Sequence, residues 1–122
     1  GSIAAEIPVL LKNRTIGEEA SRLLASMLEN VVENGSGSRA YIEGYRVGGK
    51  TGTAQKFENG SLAVGKYVSS FLGFFPGDDP QYLALVIVDE PQGAYYGSVV
   101  AAPAAKEVFE AIIEAKGISP FA

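Results

Sequence analysis

The sequence predicts an α+β fold, an antiparallel sheet with three strands from this chain, packed with an N-terminal and a C-terminal helix. Three observations carry that expectation. Apolar residues recur at helical spacing in a segment near each end of the chain. Between them lie three strand-like runs separated by turn chemistry. Helices at the two ends of such a run, with no strand–helix–strand alternation, favour an antiparallel over a parallel sheet.

Gly1-Ser2 resembles the pair left by tag cleavage and is set aside, so residues 3–122 form the unit of interest. Ile3 to Lys12 is apolar and extended in character, with Pro8 arguing against helix. Thr15-Ile16-Gly17-Glu18 has the capping-box pattern, and Leu23, Leu24, Met27, Leu28, Val31 and Val32 follow at helical spacing. The helix is expected from about Glu18 to Glu33, stopped by Asn34-Gly35, with Gly35 to Ser38 as a flexible linker. Tyr45 to Val47 and Lys50 to Phe57 read as one strand interrupted or flanked by Gly48-Gly49, and Glu58-Asn59-Gly60-Ser61 as a turn. Tyr67 to Phe75 reads as the second strand. Pro76 to Pro80 reverses the chain, so Tyr82 to Asp89 returns antiparallel. A loop from Pro91 to Gly97 carries Tyr95 and Tyr96. The last helix is expected from about Val99 to Lys116, with Pro103 in its first turn. Ala105, Val108, Phe109, Ile112 and Ile113 form its buried stripe, and Gly117 ends it.

Composition narrows the chemistry. The 122 residues are 47% hydrophobic, with six Tyr and six Phe, enough to bury a core and to exclude a disordered chain. Ten basic against fourteen acidic residues give a net charge of −4, which argues against a general nucleic-acid binder. There is no His and no Cys. That removes the Ser-His-Asp triad, the Cys nucleophile, disulfides and the usual zinc sites, and no metal or cofactor constellation is visible otherwise. Catalysis is left to Ser, Thr, Lys, Tyr and carboxylates. No apolar run approaches the roughly 18–20 residues that span a bilayer, so the chain itself is expected to be soluble.

Gly44-Tyr45-Arg46-Val47-Gly48-Gly49-Lys50-Thr51 fits two chemistries. It matches the G-x-x-x-x-G-K-[ST] phosphate loop, but that loop needs a strand before it and a helix directly after it. Here a Gly/Ser stretch precedes, and Gly52 to Gly60 has no helical apolar stripe. The nucleotide-binding alternative therefore hangs on the match alone. Read as a strand, Lys50-Thr51-Gly52-Thr53 has another logic. Alternation puts Lys50 and Gly52 on one face and Thr51 and Thr53 on the other. An ammonium and neighbouring hydroxyls can hold a carboxylate, and Gly52 lets another backbone approach, as in strand addition. The competing plain reading is a solvated Lys beside two β-favouring threonines. Ser69 and Ser70 read as small packing positions, Asp78 and Asp79 as turn residues, and Asp89 and Glu90 as acceptors at a strand end. Tyr95 and Tyr96 either line the cleft beside Lys50 or cover the sheet.

Gly44 to Lys56 resembles the third active-site motif of penicillin-binding proteins, with its flanks. The likeness continues through Tyr67 to Pro76, Leu85 to Pro91 and Ala94 to Pro103, and it includes the helix of Thr15 to Glu33. Within that family the chain resembles the class B transpeptidases of cell division and sporulation. The resemblance implies part of the β-lactamase-like transpeptidase fold, in which a five-stranded sheet takes two strands from an earlier segment. It also implies the function: a serine attacks the D-Ala-D-Ala end of a peptidoglycan stem peptide, an amine resolves the acyl-enzyme, and β-lactams acylate the same serine. Lys50 would place positive charge by the substrate carboxylate. Thr51, Gly52 and Thr53 would complete the substrate site, with the Thr53 amide as an oxyanion-hole donor.

No serine here is followed three residues later by Lys, or two residues later by Asn. The chain therefore reads as the C-terminal subdomain of such a domain, without the nucleophile and inactive alone. The implied partners are the stem peptide and β-lactams, no nucleic acid, and either the remaining domain or a second copy at the edge Leu83 to Val88. The implied parent is membrane-anchored with this domain on the extracytoplasmic face. A non-catalytic interaction module on the same scaffold is the alternative from another class.

Overall fold

A computed structural model describes residues 13–121 of the chain. Its elements are α1 (Glu18–Glu33), a 3₁₀ turn (Ser38–Ala40), β1 (Gly48–Glu58), β2 (Ser61–Phe75), β3 (Tyr82–Asp89), α2 (Gly97–Val100) and α3 (Ala102–Lys116). The strands form one antiparallel sheet in the order β1-β2-β3. This is the expected α+β arrangement. The extended segment expected at Ile3 to Lys12 lies outside the described residues.

Strand pairing assigns every side chain to a face, because directly paired residues point the same way. Thr53, Ser69 and Val88 are paired in succession, as are Thr51, Phe71 and Val86, and then Gly49, Gly73 and Ala84. This inner face carries the core. Phe71, Phe75 and Phe109 are fully buried with Val32, Ala40, Ala101, Ala102 and Ala105. Phe75 meets Phe109 of α3 edge-on, with ring centroids 5.1 Å apart. Gly49 and Gly73 leave the room those rings occupy; a Cβ on Gly73 would lie 2.9 Å from the Phe109 ring. The opposite, outer face carries Lys50, Gly52, Ser70, Leu72, Leu83, Leu85 and Ile87. Helix α1 runs beside β1. Its Leu24 and Leu28 line a groove of about 390 Å³ with Phe74 and Leu83, while Val32 enters the core.

Several local expectations are corrected. Helix α1 has the expected bounds, but its N-cap is Gly17 in extended conformation, with no side-chain cap, so Thr15 makes no capping box. Gly35 to Ser38 is an ordered turn, not a free linker. Gly37 N–H donates to Val31 O at 2.9 Å, and Gly37 packs closely against Val32 and Phe71, where a Cβ would lie 3.2 and 3.4 Å from their side chains. Tyr45 to Val47 is not strand, because β2 ends at Phe75 and Phe74 already pairs with Gly48. Instead the Tyr45 hydroxyl donates to Ile118 O at 2.8 Å, holding the segment after α3.

β2 begins six residues before the expected Tyr67. The Asn59-Gly60 turn, with φ of 50° and 80°, closes the hairpin directly, and the register shifts between Gln55 and Phe57, opposite the stretch of β2 where Gly65 has a φ of 76°. The expected last helix is two, broken at Ala101. Pro103 has no N–H for Val99 O, and its ring crowds that carbonyl. Val108 is 45% exposed, so the buried stripe of α3 is Ala105 and Phe109, with Ile112 and Ile113 partly covered. Gly117 caps α3 in the left-handed region, φ 61°, as expected.

Candidate functional site

Lys50-Thr51-Gly52-Thr53 lies in the middle of β1, opposite Leu72 to Ser69 of β2. Among the described residues β1 has a partner on one side only, which leaves its other edge open. The alternation expected from sequence holds: Lys50 and Gly52 occupy the outer face, Thr51 and Thr53 the inner one. The strand that follows Lys50-Thr51 also removes the phosphate-loop alternative. No helix N-terminus stands behind the glycine-rich stretch, so its amides do not converge on an anion in that manner.

The Lys50 side chain is exposed, and its ammonium donates to the Thr51 carbonyl at 2.9 Å. No carboxylate forms an ion pair with it among the described residues, in contrast to Lys56 and Lys66. At Gly52 a Cβ would meet the Ser70 hydroxyl across the strand pair at 2.5 Å, so any larger residue would require that hydroxyl to turn away. The two threonine hydroxyls are held differently. Thr51 Oγ1 lies 3.3 Å from Ser36 Oγ, and either hydroxyl can donate. Thr53 Oγ1 accepts the Gly97 N–H at 3.0 Å. The loop that delivers Gly97 is tied down by Ser69, whose hydroxyl donates to Tyr95 O from a fully buried position. Ser69 is thus the small packing residue expected, with a tethering bond added. Ser36 and Gly97 were not indicated by sequence, since each reaches the strand from a distant segment.

Tyr95 and Tyr96 do not stand beside Lys50. Tyr95 stacks on Tyr67 at 4.1 Å, and Tyr96 lies 4.5 Å from Tyr95. Tyr67 pairs with Gln55, five residues along the strand from Lys50. The rings therefore cover the sheet near the hairpin end. The Tyr95 hydroxyl donates to that of Tyr96, which, with the neighbouring phenols and some burial, holds its pKa above the usual tyrosine value. Nearby, Lys56 binds Glu90 at 2.8 Å and Asp89 at 3.0 Å, and these hydrogen bonds push its pKa up to about 12. Lys66 is likewise raised by Glu58. On the α1 side, Arg46 grips Glu29 through two bonds of 2.7 and 2.9 Å, which raise its pKa. These are structural ion pairs that anchor strand ends. Among the described residues no cluster of three or more acidic side chains could hold a metal ion.

Comparison with known proteins gives this geometry a setting. Residues 5–110 match the family model described as the penicillin binding protein transpeptidase domain. The chain is 44% identical over 109 residues to the peptidoglycan D,D-transpeptidase FtsI homolog of Chlorokybus atmophyticus, covering 88% of this chain and 16% of that protein. It is 42% identical over 112 residues to the stage V sporulation protein D of Bacillus subtilis (strain 168), covering 91% of this chain and 17% of that protein. The chain thus spans about a sixth of the length of these relatives. Among solved structures, the apo TP domain of Burkholderia pseudomallei penicillin-binding protein 3 is similar, with a TM-score of 0.75 and 36% identity. That match covers 84% of this chain and 31% of the other.

Proposed function

Because the chain belongs to the penicillin-binding protein transpeptidase family, we propose that it supplies the Lys-Thr-Gly wall of a peptidoglycan D,D-transpeptidase site. The observation that carries this reading is the placement of Lys50-Thr51-Gly52-Thr53 on a strand that, among the described residues, is open at one edge and whose Lys50 ammonium has no carboxylate partner. A peptide lying along β1 would meet backbone donors and acceptors on the strand edge. Lys50 would face its carboxylate, and Thr51 and Thr53 would offer hydroxyls to it. The Thr53 amide would be one oxyanion-hole donor. Stem peptide and β-lactam share the carboxylate and the carbonyl, so both fit the same wall.

Acylation also needs a nucleophile with a base within hydrogen-bond reach. Ser-x-x-Lys and Ser-x-Asn are absent from this sequence, so the reaction depends on residues from the rest of the transpeptidase. The outer face and the edge of β3 are where that remainder, or a second copy, completes the sheet. In the parent protein this domain faces the extracytoplasmic side. Among the described residues no helix is long and apolar enough to cross a membrane.

A fluorescent penicillin tests the reading. The complete transpeptidase domain should be labelled covalently and the 122-residue chain should not. Labelling of the isolated chain would place a nucleophile within it and overturn the division of labour; no labelling of either would overturn the reading itself.

A further inference from the structure

The Thr53 hydroxyl is held by a single backbone amide, and the position that supplies it tolerates no side chain. Gly97 N–H donates to Thr53 Oγ1 at 3.0 Å. Gly97 is buried, and a Cβ on it would fall on the carbonyl oxygens of Ser70 and Gly52, both of them backbone atoms inside the sheet. The loop cannot simply tilt away, since Tyr95 O, two residues earlier, is bonded by the buried Ser69 hydroxyl. Gly97 therefore touches the β1–β2 pair as closely as its backbone permits, and its amide is aimed at one oxygen.

The consequence is chemical. A threonine hydroxyl has one hydrogen and two lone pairs. With a lone pair engaged by an amide N–H, the hydrogen turns toward a different acceptor. A carboxylate has only lone pairs to offer and needs that hydrogen. Thr53 is exposed on an edge strand, so such an acceptor can reach it. Thr51 is unlike it: its partner is another exposed hydroxyl, Ser36, and that bond can run in either direction.

We propose that Gly97 is a positioning residue that orients the Thr53 hydroxyl as a hydrogen donor, and so sets the preference of the site for ligands that carry a carboxylate. The proposal rests on the Lys-Thr-Gly reading above and deepens it; Gly97 itself touches no ligand.

The test uses the complete transpeptidase domain containing this chain, acylated by a penicillin and by the methyl ester of the same penicillin. Gly97→Ala should slow acylation by the acid about tenfold, the scale of one hydrogen bond to a charged group. It should slow the ester less than about twofold. In a Thr53→Val background the same substitution should cause no further loss with the acid. Equal slowing of acid and ester, or an undiminished effect in the Thr53→Val background, would overturn the proposal and leave Gly97 a packing residue. Failure of the unsubstituted domain to react with the acid would instead overturn the reading beneath it. Should Gly97→Ala not fold, the amide proton resonance of Gly97 gives a second measurement. It should move when the acid binds the unsubstituted domain and stay put in Thr53→Val; no movement in the unsubstituted domain overturns the proposal.

Discussion

Two lysines on one strand have opposite environments, and each yields a prediction. Lys50 has no acidic partner among the described residues and bonds only a neighbouring carbonyl. Replacing it with Ala in the complete domain should lower penicillin acylation about 10²-fold, the scale of losing a preorganised charge at a reacting centre. The melting temperature should stay within the small range of surface substitutions. Lys56 is pinned by Glu90 and Asp89, and its pKa is raised from 10.5 to about 12. A raised folded-state pKa means stability that is fully present below 10.5 and is lost as pH climbs through about 12. Thermal melts of the unsubstituted chain and of Lys56→Met should therefore differ most below 10.5 and converge as pH rises through about 12. A constant difference across that window would show that the ion pair contributes nothing. The difference between the two proteins is the quantity to follow, since tyrosines titrate in the same range.

Among the elements, the β1–β2 hairpin depends on its turn. Asn59 and Gly60 both have positive φ, at 50° and 80°, in a two-residue connection. Gly60→Ala has open space for its Cβ but not the backbone conformation, so it should cost about 1 kcal/mol in urea denaturation. No loss would mean that the turn rearranges. The turn, α1 and β3 were legible from sequence because their signals are local: Asn-Gly, a helical stripe ended by Asn34, and a strand bounded by turn and loop residues. The rest was hidden where a distant segment decides the outcome. Ser61 to Lys66 becomes strand because Gln55 to Glu58 faces it across the turn. Gly35 to Ser38 looks like linker but is ordered, since its glycines fit against Val31, Val32 and Phe71. Thr15 has the right spacing for a capping box, yet Gly17 provides the cap. The site divides in the same way. Lys50 to Thr53 could be read from a contiguous motif, whereas Ser36 and Gly97 could not, because one works through a long-range hydroxyl contact and the other through backbone.

For the whole molecule the governing feature is the outer face of the sheet. Leu83, Leu85 and Ile87 are 68%, 55% and 60% exposed, and Leu72 beside them is 38% exposed. A contiguous apolar strip next to a strand edge that is unpaired among the described residues favours association. At high concentration the isolated chain should therefore self-associate in light scattering, and Leu85→Lys with Ile87→Lys should return it to a monomer. Monomeric behaviour without those substitutions would count against a second copy as the partner. The strand order β1-β2-β3 follows the order of the strands along the chain, so among the described residues each strand pairs only with its sequence neighbour. That has a bearing on time. A hairpin closes in about 1–10 μs, while a ribosome adds about 5–20 residues per second. The β1–β2 ribbon can thus close as soon as its own residues are free to pair, without waiting for β3, and the sheet can be built in the order in which its strands are delivered.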